Sequence, residues 1–574
     1  MRRYPPLKPR NFLPRRLVCS DFKAIAPYGD KLLKKLPVAK RDLSRWMADY
    51  LELVNAVYEE RTRLYIEMTC DTLDKEKSAA YLDFVEFFEP RWEEMLNKIT
   101  SKIHKHPLKS ALNQKQYGKW LASLQTNMDL FTDANLALQP KIMRLSHAYQ
   151  KICAGMTVAW DGKKMTVARM NKLLQEPDRD LREKAWRATW KRFMADRAFL
   201  DGLFNKLLRL RSRVAANAGL RDYRDFCFKK YERTDYSVED CFTFHRTVET
   251  TIVPLYKEIL NHRKSRLGLD RLRPWDLACP LDDCPGPRFG IDTRALTFGV
   301  ESILKRLDPK LAGHFKTMRD NGLLDLENRP GKAPGGYQIV LDECRLPFIF
   351  MNAAGFDQDI TTLLHESGHA LHSFLCGKHD LMYNREPAKE FCEVASMSME
   401  RFGMRHLGVF YGPAHVRRAR MFQNEEVFRL FAWVAIIDSF QQWVYTHPGH
   451  TEAARNAAWI GAMDRFQAGL DWSGLNDYRK TAWHRQLHIF QYPFYYIEYG
   501  IALIGALQMW VQFQKSGDTA LKNYKKALRL GGTAGLRELF ETAELSFDFS
   551  PRTVAPLVQK VFKDWQKNLP GNSN

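Results

Sequence analysis

The sequence predicts a mainly α-helical protein with one small β-sheet. Two observations carry this. Apolar residues recur at helical spacing, with charges between them, over residues 41–61, 78–103, 180–217 and 237–266. By contrast, only residues 337–341 and 347–351 read as a convincing hairpin-like pair, the second being the run PFIFM. Two breaker clusters punctuate the chain, CPLDDCPGPRFG at 279–290 and NRPGKAPGG at 328–336, and both read as loops. No repeat or low-complexity linker is present. The expected division falls near residue 195, with an N-terminal helical lobe over 1–195 and a catalytic part over 196–574.

At 574 residues, with 45% hydrophobic and 27% charged content, the chain has an ordinary globular composition and can bury large cores. The net charge of +21 is spread along the length and mixed with acids. It therefore reads as a solvated basic surface, and no nucleic-acid partner is expected. The opening MRRYPPLKPRNFLPRR is basic and Pro-rich, with no apolar stretch after it of the kind a secretory signal needs. The longest apolar windows, 431–437 and 500–511, are too short to span a membrane and read as buried helices. The ten cysteines are scattered without a C-x-x-C pair, as expected of free thiols in a reducing, cytoplasmic compartment.

The chemistry is concentrated at His365-Glu366-Ser367-Gly368-His369, an H-E-x-x-H motif in an apolar run. Residues four apart on a helix share a face, so His365 and His369 can grip one Zn²⁺. Glu366 does not bind. It is placed to take a proton from the attacking water. Chance gives roughly 0.03 such motifs in a chain of this composition, so the signal is specific. It points to a metallopeptidase.

A catalytic zinc takes a third protein ligand. The continuation x-x-G-x-x-H fails, because His372 and Leu375 occupy the Gly and His positions. His372 and His379 are candidates by residue type. So are Glu386, Glu390, Glu393 and Glu400, on or beside an expected second helix over 387–402. Their spacings of 4, 3 and 7 put the acids on one face and do not choose among them. Downstream, Tyr492, Tyr496 and Tyr499 are spaced to share a helix face, with Pro493 in the first turn and His488 nearby. The PFIFM strand, with Pro347, Phe348 and Ile349, is expected to bind substrate by pairing with an extended peptide backbone.

The stretch H-E-S-G-H-A-L-H, followed by Glu393 in C-E-V-A-S, resembles the thimet oligopeptidase/oligoendopeptidase F family of zinc metallopeptidases. Further matching stretches are PFIFMN (347–352), Asp359 with Thr362-Leu363-Leu364, DSFQQWVY (438–445), and His488 with its following tyrosines. The likeness covers about residues 180–560 and is densest at 330–400 and 480–510. It implies Glu393 as third ligand and Glu400 as the acid orienting a ligating histidine. It implies that Tyr499, with Tyr496, donates to the oxyanion, and that His488 touches the substrate or the intermediate. Tyr492 joins the substrate site. An elongated, two-lobed helical molecule with a deep substrate channel is implied too.

The expected function is thus a zinc-dependent endopeptidase, with one Zn²⁺ per chain, that hydrolyses short oligopeptides in peptide catabolism. Zinc and Glu366 activate the water, and zinc and Tyr499 stabilise the oxyanion. The expected state is a monomer or homodimer without a membrane partner. Two alternatives stay open. One is a dipeptidyl carboxypeptidase-type exopeptidase, which needs a cationic pocket for the substrate's terminal carboxylate; Arg345 and Arg385 lie near the motif in sequence. The other is a catalytically idle zinc-dependent peptide-binding protein.

Overall fold

The computed structural model describes residues 4, 9–279, 281, 292–355, 357–467 and 469–569. Most of the loop read at 279–290 lies outside the described residues. Helices dominate, as the apolar periodicity requires, and no helix among the described residues is long and apolar enough to cross a membrane. The 41–61 periodicity lies within the helix Lys40–Cys70. The other long periodic stretches are interrupted for local reasons. Wide five-residue turns at Phe84–Phe88 and Val248–Ile252 precede Pro90 and Pro254 in the helices that follow. A proline lacks the N–H for the i→i−4 bond, so the preceding turn loosens. At 180–217 the break falls at Asp196, between Arg179–Ala195 and Arg197–Asn217.

The chain divides into two compact units. One comprises Met1–Gln125, Pro287–Val416 and Gly505–Phe547; the other comprises Thr126–Gly286, Arg417–Ile504 and Asp548–Asn574. A division at 195 falls inside the second unit. Packing joins segments remote in sequence, and a search for linkers does not detect that.

The second unit holds a hairpin that the sequence reading missed. Strands β1 (Thr157–Trp160) and β2 (Lys163–Thr166) pair antiparallel. Asp161 and Gly162 both take positive φ, 46° and 73°, which is the geometry a two-residue Asp-Gly hairpin turn demands. The Asp-Gly pair was the available signal.

The first unit carries a three-stranded sheet of β3 (Leu324–Glu327), β4 (Tyr337–Leu341) and β5 (Leu346–Ala353), in the order β3-β5-β4. β4 and β5 form the expected antiparallel pair, and β3 adds parallel on the other side of β5. This corrects the substrate role expected of Pro347, Phe348 and Ile349. They sit on the central strand, and Phe348 and Ile349 are fully buried. A strand flanked on both sides has no edge to offer a peptide, whereas β4 is an edge strand of the sheet.

Candidate active site

In the first unit the motif lies on a helix, Asp357–Cys376. Its start is fixed by Asp359, whose Oδ2 accepts from the amides of Ala354 (2.9 Å) and Gly355 (2.7 Å). Leu363, Leu364, Ala370 and Leu371 are buried around the motif. The second helix runs Lys389–Gly403, close to the expected 387–402.

These two helices approach at backbone distance, and small residues make that possible. A Cβ built on Gly368 would lie 2.5 Å from the Ser396 Cα, 2.8 Å from the Ala395 carbonyl oxygen and 3.0 Å from the Ser396 nitrogen. A Cβ on Gly403 would lie 2.6 Å from a Leu364 methyl carbon. The Tyr524 hydroxyl donates to the Ala395 carbonyl at 2.8 Å, tying a further helix to the contact. The sequence reading passed over Gly368 as a free motif position. Its small partners in C-E-V-A-S were the signal for this contact.

The close approach delivers three donor atoms to one point. The Nε2 atoms of His365 and His369 are 3.2 Å apart, and Glu393 Oε2 lies 3.4 and 3.7 Å from them. A tetrahedral zinc with bonds of about 2.0–2.1 Å separates its ligands by roughly 3.4 Å, so this triangle fits one. The donor set of two imidazoles and a carboxylate also matches a catalytic zinc site with one position left open. Glu393 Oε2 accepts a hydrogen bond from Ser396 Oγ at 3.0 Å, which fixes the carboxylate. His365 Nδ1 is 2.6 Å from Glu400 Oε1. With Nδ1–H donated to Glu400, Nε2 is the atom that faces the triangle, and its lone pair becomes available when a metal displaces its proton.

Burial and charge set the protonation here. Burial works against a charged His365, but the Glu400 hydrogen bond and the surrounding carboxylates outweigh it and raise its pKa to about 9. Burial raises Glu366 to about 7, with His365 opposing and Glu393 and Glu400 adding to the rise. Burial also raises Glu393, and it drives His369 well below its ordinary value, assisted by His365.

The other third-ligand candidates are not among the donors that converge. His372 is fully buried and lowered to about 3 by desolvation, and His379 Nε2 lies 2.9 Å from the Arg529 carbonyl. Arg345 pairs with Asp380 at 2.8 Å and donates to the Gly377 carbonyl. Arg385 is buried and bonds Asp342, Asn55 and the carbonyls of His379 and Asp380. Both arginines are thus committed to structural pairs, which removes the basis for the carboxylate pocket of an exopeptidase.

In the second unit the tyrosines cluster, but not on one helix face. The helix Leu487–Gln491 ends before Tyr492, and the next begins at Ile497. Pro493 cannot continue the first helix, and Phe494 takes φ 64°, a left-handed conformation costly for a bulky residue. Its surroundings hold it there. The Phe494 amide donates to Gln441 Oε1 at 3.1 Å, and its carbonyl accepts from Arg233 at 2.6 Å. The Tyr231 hydroxyl donates to the Pro493 carbonyl at 3.2 Å. This turn folds the tyrosines around His488, whose ring centroid is 4.9 Å from Tyr496, 5.7 Å from Tyr495, 6.0 Å from Tyr499 and 6.2 Å from Tyr492. Burial pushes His488 down to about 4, so its imidazole is neutral at pH 7. Tyr492 is half exposed.

A helical fold carrying a His, His, Glu donor triangle with an adjacent carboxylate defines a metallopeptidase. The chain belongs to peptidase family M3, whose model matches residues 172–553; the family's N-terminal domain model matches residues 16–131. It is 26% identical over 287 residues to an oligoendopeptidase F homolog of Mycoplasma pneumoniae, covering 47% of this chain and 44% of the relative. It is 24% identical over 313 residues to oligopeptidase PepF of Bacillus subtilis, covering 49% and 42%. The chain thus matches less than half the length of these curated relatives. The likeness to a solved structure runs further: PZ peptidase A with an inhibitor superposes at a TM-score of 0.89, with 25% identity, over 97% of this chain and 99% of that one.

Proposed function

We propose that the protein is a zinc-dependent endopeptidase that hydrolyses short oligopeptides. The observation that carries this is the donor triangle of His365, His369 and Glu393 with Glu366 beside it. The three would hold one zinc ion per chain, and Glu400 orients His365. A bound zinc supplies a Lewis acid that acidifies water and polarises the scissile carbonyl. Glu366 takes the proton of the attacking water and returns it to the leaving amine. Its burial favours the protonated carboxyl, which suits a group that must take a proton from water. Tyr499, with Tyr496, donates to the developing oxyanion, and the neutral His488 contacts the substrate or the intermediate. Tyr492 contributes to the substrate surface. Where a peptide adds as a strand, the edge strand β4 takes the part first expected of β5.

An endopeptidase is favoured over an exopeptidase because Arg345 and Arg385 are already paired. The reading extends to a cytoplasmic monomer or homodimer. The test is hydrolysis of quenched-fluorescence peptides of graded length, with and without a zinc chelator. Turnover confined to the short peptides and lost on chelation supports the proposal; chelator-resistant turnover contradicts it.

A further inference from the structure

His488 is held by a two-step hydrogen-bond chain. Trp433 Nε1 donates to Gln486 Oε1 at 3.0 Å, and Gln486 Nε2 lies 2.7 Å from His488 Nδ1. The chemistry of the two ends fixes the middle. An indole N–H only donates, so the amide atom facing Trp433 must be the oxygen. The amide nitrogen then faces His488, and it too only donates. The Nδ1 atom must therefore carry a lone pair, and in a neutral ring the proton sits on Nε2. The anchor is rigid. Trp433 packs edge-on against Trp459 at 5.9 Å, and Trp459 is fully buried with its own N–H on the Arg479 carbonyl.

We propose that Gln486 and Trp433 are positioning residues that hold His488 as its Nε2-protonated tautomer, which makes it a hydrogen-bond donor toward the substrate. This rests on the reading above that His488 meets the substrate or the intermediate. Burial supports it by keeping the ring neutral. Burial raises the pKa of the neighbouring Tyr496 hydroxyl, and the charge of Arg429, followed by the polar groups of Trp433 and Gln486, partly offsets that rise.

The test uses the zinc-loaded full chain labelled with ¹⁵N-histidine. His488 is assigned by the resonance lost in His488→Gln. In the wild type, His488 Nδ1 is expected as the unprotonated ring nitrogen and Nε2 as the protonated one. In Gln486→Glu the carboxylate demands a donor, so Nδ1 should gain a proton. kcat should then fall on the order of 10²-fold, with KM changed less than about threefold. The other histidine resonances report whether the variant keeps its fold. Trp433→Phe, which frees the amide to turn over, should give a mixture of tautomers. A protonated Nδ1 in the wild type, or an unchanged nitrogen pattern in Gln486→Glu, overturns the proposal. An inverted tautomer with undiminished kcat upholds the positioning and removes His488 from the reaction instead.

Discussion

Gly368→Ala tests the packing that builds the candidate metal site. The added Cβ would sit 2.5 Å from the Ser396 Cα, whereas ordinary contact begins at 3.4 Å. The obstacle is backbone and does not rotate away. The two helices must therefore separate by roughly 0.9 Å, the difference of those distances, or the substitution is strained in place by about 1–3 kcal/mol. Separation acts directly on the donors, because His365 and His369 ride on one helix and Glu393 on the other. Their gaps of 3.4 and 3.7 Å would grow to roughly 4.3 and 4.6 Å. Two ligands on one zinc at about 2.1 Å each cannot lie more than about 4.2 Å apart. Zinc affinity should fall at least about tenfold to a hundredfold, as when a group supporting a ligand is removed. The assay is competition for zinc with a chromophoric chelator, alongside thermal unfolding. Gly461→Ala is the control. That glycine lies inside the helix Glu452–Phe466 with nothing within 4 Å of a built Cβ, so alanine should stabilise it by about 0.5–1 kcal/mol. A Gly368→Ala protein with wild-type zinc affinity and unchanged melting would show that this contact does not set the spacing of the donors.

Other substitutions separate the roles. Glu400→Gln should cost about tenfold to a hundredfold in zinc affinity by loosening His365; calorimetry of zinc binding measures it. Tyr499→Phe should lower kcat by about 10²–10³ with zinc content unchanged, read from steady-state kinetics and metal analysis. Peptides amidated at the C-terminus should be cut as well as free ones, since Arg345 and Arg385 are paired elsewhere; chromatography of the products decides it. Acid should destabilise the fold through His488. Its folded pKa of about 4 lies below its ordinary 6.5, so the unfolded chain binds more protons between those values and stability falls as pH drops through that window. The gap is worth up to about 3 kcal/mol, and His488→Gln should flatten that part of the curve of stability against pH.

What was legible in the sequence follows from what is local. His365 and His369 share a face because covalent helical spacing puts them there, and no packing is needed to see it. Glu393 is different. Spacing left four glutamates open, and the selection is made by the backbone contact of Gly368 with Ser396, a property of two helices together. The tyrosine spacing suggested one helix face, but Pro493 and the left-handed Phe494 break it. The side chains still converge on His488 because Gln441 and Arg233 hold the turn. The PFIFM stretch is a β-strand as its residues predict, but it cannot take the peptide-pairing role, since β3 pairs with it from a segment the alternation does not reveal. Asp161-Gly162 marked a hairpin in plain view, passed over because its strands are only four residues each. The assembly of each unit from separate stretches of chain, and the Trp433 to Gln486 bond between residues 53 apart, depend on contacts remote in sequence and leave no periodic trace.

In the proposed mechanism Glu366 drives peptide hydrolysis beside a zinc held by His365, His369 and Glu393. The most direct measurement is turnover of a short quenched-fluorescence peptide by Glu366→Gln, with zinc stoichiometry determined on the same sample. This mechanism predicts one zinc per chain and turnover reduced to the detection limit. Wild-type turnover by that zinc-loaded variant would contradict it.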